Sequence, residues 1–158
     1  MVPSTIMVAT DASENAKKAE LFAAELAAKM RDTAILIVHT VPARDLPPIS
    51  PEGTDQLPSY QAHSPETGAH RAEGEVLLEE AKARVESALM GTGVAVETRL
   101  IENKSSAKGI LNEASVTGEC KMIVVGDRGH GGLPGLLLGS VSSQVLHGSH
   151  CPVLIVKN

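Results

Sequence analysis

The chain has 158 residues, a formal net charge of −5 at pH 7, and 42% hydrophobic residues. This length and composition are typical of one globular domain that can bury a core without disulfides or metals, and they argue against a disordered chain. Only 1% of the residues are aromatic. Binders of single-stranded nucleic acid stack bases on aromatic side chains and carry a basic surface, so this acidic composition argues against a nucleic-acid partner.

The sequence also argues against secretion and membrane insertion. The first residues, MVPSTIMVATDASE, lack the basic and long apolar regions of a signal peptide, and no run approaches the roughly eighteen apolar residues of a spanning helix. Two cysteines, Cys120 and Cys151, are too few for a secreted disulfide framework. We therefore expect a cytoplasmic protein with no membrane partner. Each cysteine stands just before a predicted strand, so a redox bridge is conceivable, but two small buried thiols are the favoured interpretation.

Apolar runs and helical patterns alternate along the chain. In chain order they predict a strand over 5–10, a helix over 13–30, a strand over 34–41, a helix over 72–90, a strand over 94–101, a helix over 106–117, a strand over 122–126, a helix over 140–148 and a strand over 152–156. Four of these strands are continuous apolar runs, which a parallel sheet covered on both faces requires. The pattern predicts a doubly wound α/β domain with right-handed crossovers.

One segment interrupts this alternation. Residues 42–70 hold six of the nine prolines, and proline fixes backbone angles and removes hydrogen-bond donors. We expect a single domain, 1–158, with a long irregular insertion after the second strand. This insertion is either a loop with no binding role or a lid over the carboxyl edge of the sheet.

The most informative stretch is GDRGHGGLPGLLLGS, residues 126–140, with six glycines between a strand and a helix. Ligands of doubly wound sheets bind at the carboxyl ends of the strands. Gly126 and Gly129 can take positive φ angles and allow a ligand to approach the main chain. Gly139 and Ser140 begin a helix whose free N–H groups favour an anion. The spacing therefore predicts a phosphate cradle.

Two familiar phosphate loops do not match this stretch. A Walker A loop needs a lysine, and residues 126–140 contain none. A dinucleotide fingerprint needs a third glycine where Gly129-His130-Gly131 leads to Pro134. Neither motif describes the loop.

The region GDRGHGGLPGLLLGSVSSQVLHGSHCPVLIV resembles the carboxyl-terminal signature of the universal stress protein family, in its ATP-binding branch, whose motif is G-2x-G-9x-G-[ST]. TIMVATDAS and IVHTV match in place as well, so the resemblance covers essentially the whole chain. It implies a five-stranded parallel sheet in the order 3-2-1-4-5, with helices on both faces and ATP, with or without Mg²⁺, bound between the first and fourth strands.

The resemblance also implies which residues face the nucleoside. Asp11 would face it directly, and the main chain around Thr40 would meet the adenine edge. Val125 and Gly126 would line the ribose and adenine side. From the sequence alone, Asp11 with Glu14 could instead cap the first helix, and the ligand-facing role is the favoured one.

For the phosphates, the resemblance implies four further residues. Gly129, Gly139, Ser140 and Val141 would hold the ribose and phosphates through N–H groups and the Ser140 hydroxyl. From the sequence alone, Ser140 could equally be an N-cap, and the two roles are compatible.

Four other polar residues invite functional roles. Arg128 could offset phosphate charge and His130 could titrate near neutral pH, but a solvated side chain is the ordinary occupant of a loop. His147 and His150 lack the third and fourth ligands that a metal site needs. We expect no metal site of protein ligands and no catalytic residue among them.

Function is less constrained than fold. The favoured reading is an ATP-binding, nucleotide-dependent regulator in a stress response, with enzymatic activity left open. The alternatives are a slow Mg²⁺-dependent ATP hydrolase that uses Asp11, and a nucleotide-free, chaperone-like interaction module. The apolar last strand, Val153–Val156, would leave an exposed sheet edge, and both this liability and the resemblance imply a homodimer through it.

Overall fold

The computed structural model describes residues 4–43, 65–130, 135 and 137–157, with backbone alone at 65–67. Within these residues, five strands and four helices alternate in the predicted order. Their bounds are β1 Ser4–Ala9, α1 Glu14–Lys29, β2 Thr33–Val41, α2 Pro65–Ala88, β3 Val96–Glu102, α3 Ser106–Val116, β4 Cys120–Gly126, α4 Ser140–Gly148 and β5 Val153–Val156.

The five strands form one parallel sheet in the order β3-β2-β1-β4-β5. This confirms the predicted fold class and strand order. The chain runs outward from β1 to β3 and then crosses back to β4, so the connections of β1 and β4 diverge to opposite sides of the sheet. A crevice at the carboxyl ends of these two strands follows from that topology.

Alternate residues of the strands point to two separate cores. Ile6 and Val8 pack with α1 and α2 on one face of the sheet, while Met7 packs with α3 and α4 on the other. All three side chains are fully buried. Because both faces are covered, β1, β2 and β4 are apolar on both sides, which explains their continuous hydrophobic runs.

Helix α2 starts earlier than the sequence predicted. It begins at Pro65 rather than near residue 72, and proline is tolerated in the first turn because the N–H groups there have no helical partner. The rest of the proline-rich segment, residues 44–64, lies outside the described residues, and so does the choice between a lid and a loop. In the described ranges, no helix combines the length and apolar character needed to cross a membrane.

A charged side chain is buried between α1 and α2. Glu20 is 0% exposed and accepts hydrogen bonds from Arg84 Nε at 2.9 Å and from the Thr10 hydroxyl at 2.6 Å. Thr10 Oγ1 in turn accepts the backbone N–H of Ala12 at 3.2 Å. The network links both helices to the residues that follow β1.

Candidate functional site

A cavity of about 470 Å³ opens at the carboxyl ends of β1, β2 and β4. The first turns of α3 and α4 complete its walls. Every residue assigned to the predicted nucleotide site lines it: Asp11, Thr40, Val125, Gly126, Gly129, Gly139, Ser140 and Val141. The structure thus brings together residues that lie up to 130 positions apart in the sequence.

One side of the cavity is apolar. Val38, Ile110 and Val125 are all nearly fully buried, and Ala9 lies beside them. A flat, weakly polar group fits between such side chains better than a charged one does. Of these residues, only Val125 was predicted from the sequence, although Ala9 and Val38 could have been found from their places near the carboxyl ends of adjacent strands.

Asp11 lies in a tight turn between β1 and α1. Its Oδ1 accepts the N–H of Ser13 at 3.0 Å and its Oδ2 accepts the N–H of His130 at 3.2 Å. Ala12 adopts a positive φ of 62° in this turn. The N-cap of α1 is Ser13, whose hydroxyl accepts the N–H of Ala16. The capping interpretation of Asp11 with Glu14 is therefore wrong, and the Asp11 carboxylate instead joins β1 to the glycine loop.

The motif glycines are needed because neighbouring protein groups leave no room for a Cβ, and not because their backbone adopts a positive φ. Among the described glycines, those with positive φ are Gly91, Gly93, Gly118 and Gly135, so the expectation for Gly126 and Gly129 was wrong. A Cβ at Gly129 would overlap the Asp11 carboxylate, and one at Gly126 would lie 2.9 Å from the Asn15 carbonyl carbon. The first contact is with a residue of the cavity wall, and the second is with the first turn of α1.

The two ends of the glycine loop are bonded to each other. Gly139 N–H donates to the Asp127 carbonyl at 2.7 Å, and the buried Ser142 hydroxyl donates to the Gly126 carbonyl at 2.7 Å. Asn15 Nδ2 also donates to Asp127 Oδ1 at 2.9 Å. These bonds fix the start of α4 against the end of β4. Asp127 and Ser142 were not predicted from the sequence, because nothing in their local pattern distinguishes them from other loop and helix residues.

The amino terminus of α4 faces the cavity without a side-chain cap. The N-cap is Gly139, and Ser140 is the first helical residue, so the N-cap interpretation of Ser140 was wrong. Ser140 and Val141 line the cavity. The N–H groups of a first helical turn lack helical acceptors and carry the positive end of the dipole. This wall therefore favours an anion.

Two buried polar atoms in the described ranges have no hydrogen-bond partner there: Thr40 Oγ1 and Arg128 Nε. Both residues line this cavity. Arg128 is half-buried, so the expectation of a solvated loop side chain was wrong for it. A buried polar atom without a partner is costly, and such atoms in a cavity wall indicate a polar ligand.

His130 and His39 both contact main-chain carbonyls. His130 Nε2 lies 2.8 Å from the Asp11 carbonyl, and His39 Nδ1 lies 2.8 Å from that of Thr10. Since a carbonyl oxygen only accepts, these ring nitrogens must carry the protons. Both imidazoles thereby hold the turn after β1, and His130 is exposed as expected of a loop residue.

Away from the cavity, Cys120 Sγ lies 3.6 Å from Cys151 Sγ. Both residues are only partly buried, so the expectation of two buried thiols is met in part; they lie where β4 meets the edge strand β5. His147 Nδ1 bonds the Ser143 carbonyl of its own helix at 2.7 Å. In the part of the chain that is described, no three His, Cys, Asp or Glu residues are grouped as metal ligands would be.

A sequence model of the universal stress protein family matches residues 4–157. The chain belongs to the universal stress protein family. It is 36% identical over 152 residues to the universal stress protein YxiE of Bacillus subtilis, a match that covers 96% of this chain and 97% of the relative.

Solved structures share the fold. The universal stress protein UspA from Lactobacillus plantarum superposes with a TM-score of 0.73 at 17% identity, over 99% of each chain. A universal stress protein from Archaeoglobus fulgidus, solved in complex with dAMP, superposes with a TM-score of 0.66 at 22% identity, over 99% of this chain and 100% of that one. Two further universal stress proteins with this fold were solved with cAMP and with AMP.

Proposed function

We propose that this universal stress protein binds an adenine nucleotide, with ATP as the expected ligand, and acts as a cytoplasmic, nucleotide-dependent regulator in a stress response. The observation that carries the proposal is that Thr40 Oγ1 and Arg128 Nε, the buried polar atoms without a partner in the described ranges, both belong to the cavity of the predicted site. The adenine nucleotides bound to three proteins of the same fold add support.

The base and the phosphates would occupy different ends of the cavity. An adenine ring fits the apolar side, where Val38, Ile110 and Val125 provide flat van der Waals contact. Thr40 also lines the cavity, and its unpartnered hydroxyl would have to turn toward the base to hydrogen-bond a ring nitrogen or the exocyclic amine. Base selectivity would then depend on Thr40 and on the neighbouring main chain.

The phosphates would lie at the first turn of α4. The N–H groups of Ser140 and Val141 would supply donors, whereas the Gly139 N–H expected to hold phosphate is already bonded to the Asp127 carbonyl. The Arg128 guanidinium adds a positive charge with a fork of donors suited to phosphate. This end of the cavity therefore has the charge and the donors that a polyphosphate needs.

The cavity also suits a magnesium ion that arrives with the phosphates. Among the described residues of its wall, Asp11 supplies the one carboxylate. Mg²⁺ is commonly held by one or two carboxylates plus phosphate oxygens and water, so Asp11 would contribute one oxygen ligand. When bound, Mg²⁺ would neutralise part of the phosphate charge.

The test is to denature freshly purified protein and to identify the released nucleotide by chromatography and mass spectrometry. A Gly129→Val, Gly139→Val double variant, checked for folding by circular dichroism, is the control. We expect ATP from the native protein and none from the variant. An equally empty native protein that also fails to bind added ATP with Mg²⁺ would contradict the proposal and favour the nucleotide-free module. Steady turnover of ATP that is lost in Asp11→Ala would favour the hydrolase.

We also propose a homodimer through β5. This strand is at the sheet edge, and all four of its residues are half-buried in the single chain. The Pro152 carbonyl accepts the N–H of Ile123 in β4, and the Val156 carbonyl accepts that of Asp127, the residue after β4. The alternate residues Val153 and Ile155 therefore direct their backbone groups to the open edge. Ile155→Pro would then block edge pairing while leaving the bonds to β4 intact.

Analytical ultracentrifugation should show a dimer for the native chain and for Ile155→Val, and a monomer for Ile155→Pro. A native monomer at micromolar concentration would contradict the dimer.

A further inference from the structure

The two thiols of the chain lie together at the end of the sheet opposite the cavity. Cys120 is the first residue of β4, whereas Cys151 comes two residues before β5. The two strands are neighbours in the sheet, and the sulfur atoms are 3.6 Å apart. Neither cysteine lines the cavity, so the proposed nucleotide site does not explain their proximity.

The backbone around the pair is held in place. Ile123 N–H donates to the Pro152 carbonyl at 2.9 Å, which continues the β4–β5 pairing to the residue after Cys151. The Ser149 hydroxyl accepts the N–H of Cys151 at 3.1 Å and donates to its carbonyl at 2.7 Å. Adjacent strands are about 4.8 Å apart, within the range of Cα separations that a disulfide spans. Closing the bond therefore needs side-chain rotation and a small shift of the chain.

We propose that Cys120 and Cys151 form a reversible intramolecular disulfide when a peroxide oxidises the protein. One thiolate attacks a peroxide oxygen, the O–O bond breaks, and a sulfenic acid and hydroxide result. The second sulfur then attacks the sulfenic sulfur, the S–S bond forms, the S–O bond breaks, and water leaves. Overall the two thiols lose two protons and two electrons, and hydrogen peroxide is reduced to two waters. A dithiol reductant reverses the change by thiol–disulfide exchange.

The surroundings of the two thiols set the order of the steps. Burial, followed by the contact with Cys151, raises the pKa of Cys120 to about 12, so this thiol is protonated at neutral pH. The thiolate is the nucleophile, and the Ser149 hydroxyl lies 3.4 Å from Cys151 Sγ, so in this proposal Cys151 is the residue that meets the peroxide first and Cys120 the one that resolves the sulfenic acid. The Ser149 hydroxyl proton bonds the Cys151 carbonyl in the thiol form, and rotation of the hydroxyl would redirect it to the developing thiolate.

The bond would enclose the segment that carries the glycine loop. Residues 120–151 contain β4, the loop and α4, so the disulfide would join the amino terminus of β4 to the chain that follows α4. Cross-linking a loop of this length restricts the unfolded chain, and we expect Tm to rise by about 10 °C on oxidation.

The test is to treat the reduced native protein with hydrogen peroxide, remove the excess, and map the cysteines by non-reducing tryptic digestion and mass spectrometry. Lys121 and Arg128 separate the two cysteines into different tryptic peptides, so an intramolecular bond gives a cross-linked peptide pair from a monomer-sized band on non-reducing gels. We expect that pair, two fewer titratable thiols, the rise in Tm, and recovery of both thiols with dithiothreitol.

The single variants Cys120→Ser and Cys151→Ser are matched controls. We expect Cys120→Ser to accumulate a sulfenic acid that a dimedone reagent traps at Cys151, and Cys151→Ser to react at least about tenfold more slowly. Thiols of the native protein that remain titratable, sulfinic acid without a cross-link, or disulfides between chains alone would each overturn the proposal. Because nucleotide plays no part in the readout, these results are independent of the proposed function.

Discussion

Two polar regions meet at the end of β1, and they differ in how their buried atoms are hydrogen-bonded. On the α1 and α2 side, Glu20 accepts from Thr10 and Arg84, and the Thr10 hydroxyl accepts from Ala12. On the cavity side, Thr40 Oγ1 and Arg128 Nε have no partner among the described residues. A buried polar group that is fully bonded contributes to the fold, whereas one without a partner weakens it unless a ligand supplies the bond. The first region is a structural network, although Thr10 itself also lines the cavity, and the second is a candidate binding site.

The largest effect is expected from breaking the bonded network. Glu20→Leu would leave the Arg84 guanidinium, whose side chain is 28% exposed, without its carboxylate and the Thr10 hydroxyl without its acceptor. Removing one partner of a buried ion pair costs about 3–5 kcal/mol, and the partial exposure of Arg84 favours the lower end. Urea unfolding followed by circular dichroism measures the loss. Glu86→Leu breaks the exposed pair with Lys82 and is the matched control, with a change well under about 1 kcal/mol expected.

A side chain that narrows the cavity should reduce the affinity for ATP more than it reduces the stability of the fold. Gly129→Val places a branched side chain against the Asp11 carboxylate and next to the proposed phosphate position. We expect at least about a 100-fold loss of ATP affinity by calorimetry, equivalent to roughly 2.7 kcal/mol. Gly68→Ala is the control because nothing lies within 4 Å of the added Cβ, and its affinity should equal that of the native chain. Equal ATP affinity in both variants would mean that ATP does not bind next to Gly129.

Two threonine-to-valine substitutions, one in each polar region, test whether the two regions differ in their hydrogen bonding. Thr10→Val removes a hydroxyl with two hydrogen bonds, so the free energy of unfolding should fall by about 2 kcal/mol. Thr40→Val removes a hydroxyl with no partner, so the nucleotide-free protein should be unchanged or slightly more stable, while its ATP affinity falls by about tenfold. Similar losses of stability in both variants would contradict the distinction between the two regions.

The smallest expected effect is on the free energy of unfolding at alkaline pH. Burial and the Cys151 thiol raise the pKa of Cys120 to about 12, above its value in the unfolded chain. The folded state thus binds this proton more tightly, so the contribution to stability is present at neutral pH and is lost as the pH rises from about 8.5 toward 12. In reduced protein, the free energy of unfolding should fall less between pH 8 and pH 10 for Cys120→Ala than for the native chain. An equal fall in the free energy of unfolding for both proteins would show that folding does not raise the pKa of the Cys120 thiol.

The sequence predicted the fold well because its signals are local and repeated. Continuous apolar strands such as MIVV and helices rich in small residues alternate along the chain, and topology rules then limit the arrangement. The strand order came from the family resemblance, whereas the place of the glycine loop at the carboxyl edge of the sheet followed from its position between a strand and a helix. The early start of α2 at Pro65 was missed because proline-rich sequence is read as irregular, although proline is well suited to a first helical turn.

The roles of individual site residues were harder to predict, since they depend on distant partners. Asp11 bonds the N–H of His130, and Asp127 bonds Asn15, across more than 100 residues of sequence in both cases. Periodicity carries no information about such pairs. The reason for Gly126 also came from a neighbour, the first turn of α1, and not from its own backbone angles. Local sequence identifies the loop, whereas packing decides what each residue in it does.

The most direct test of the nucleotide site is an NMR titration of isotopically labelled, nucleotide-free protein with ATP and Mg²⁺. The proposal predicts that the largest amide shifts occur at Gly129 and in the first turn of α4, at Ser140 and Val141, with little change at the exposed strand β3. Shifts that are absent at saturating ATP, or that cluster away from the carboxyl ends of β1 and β4, would contradict it.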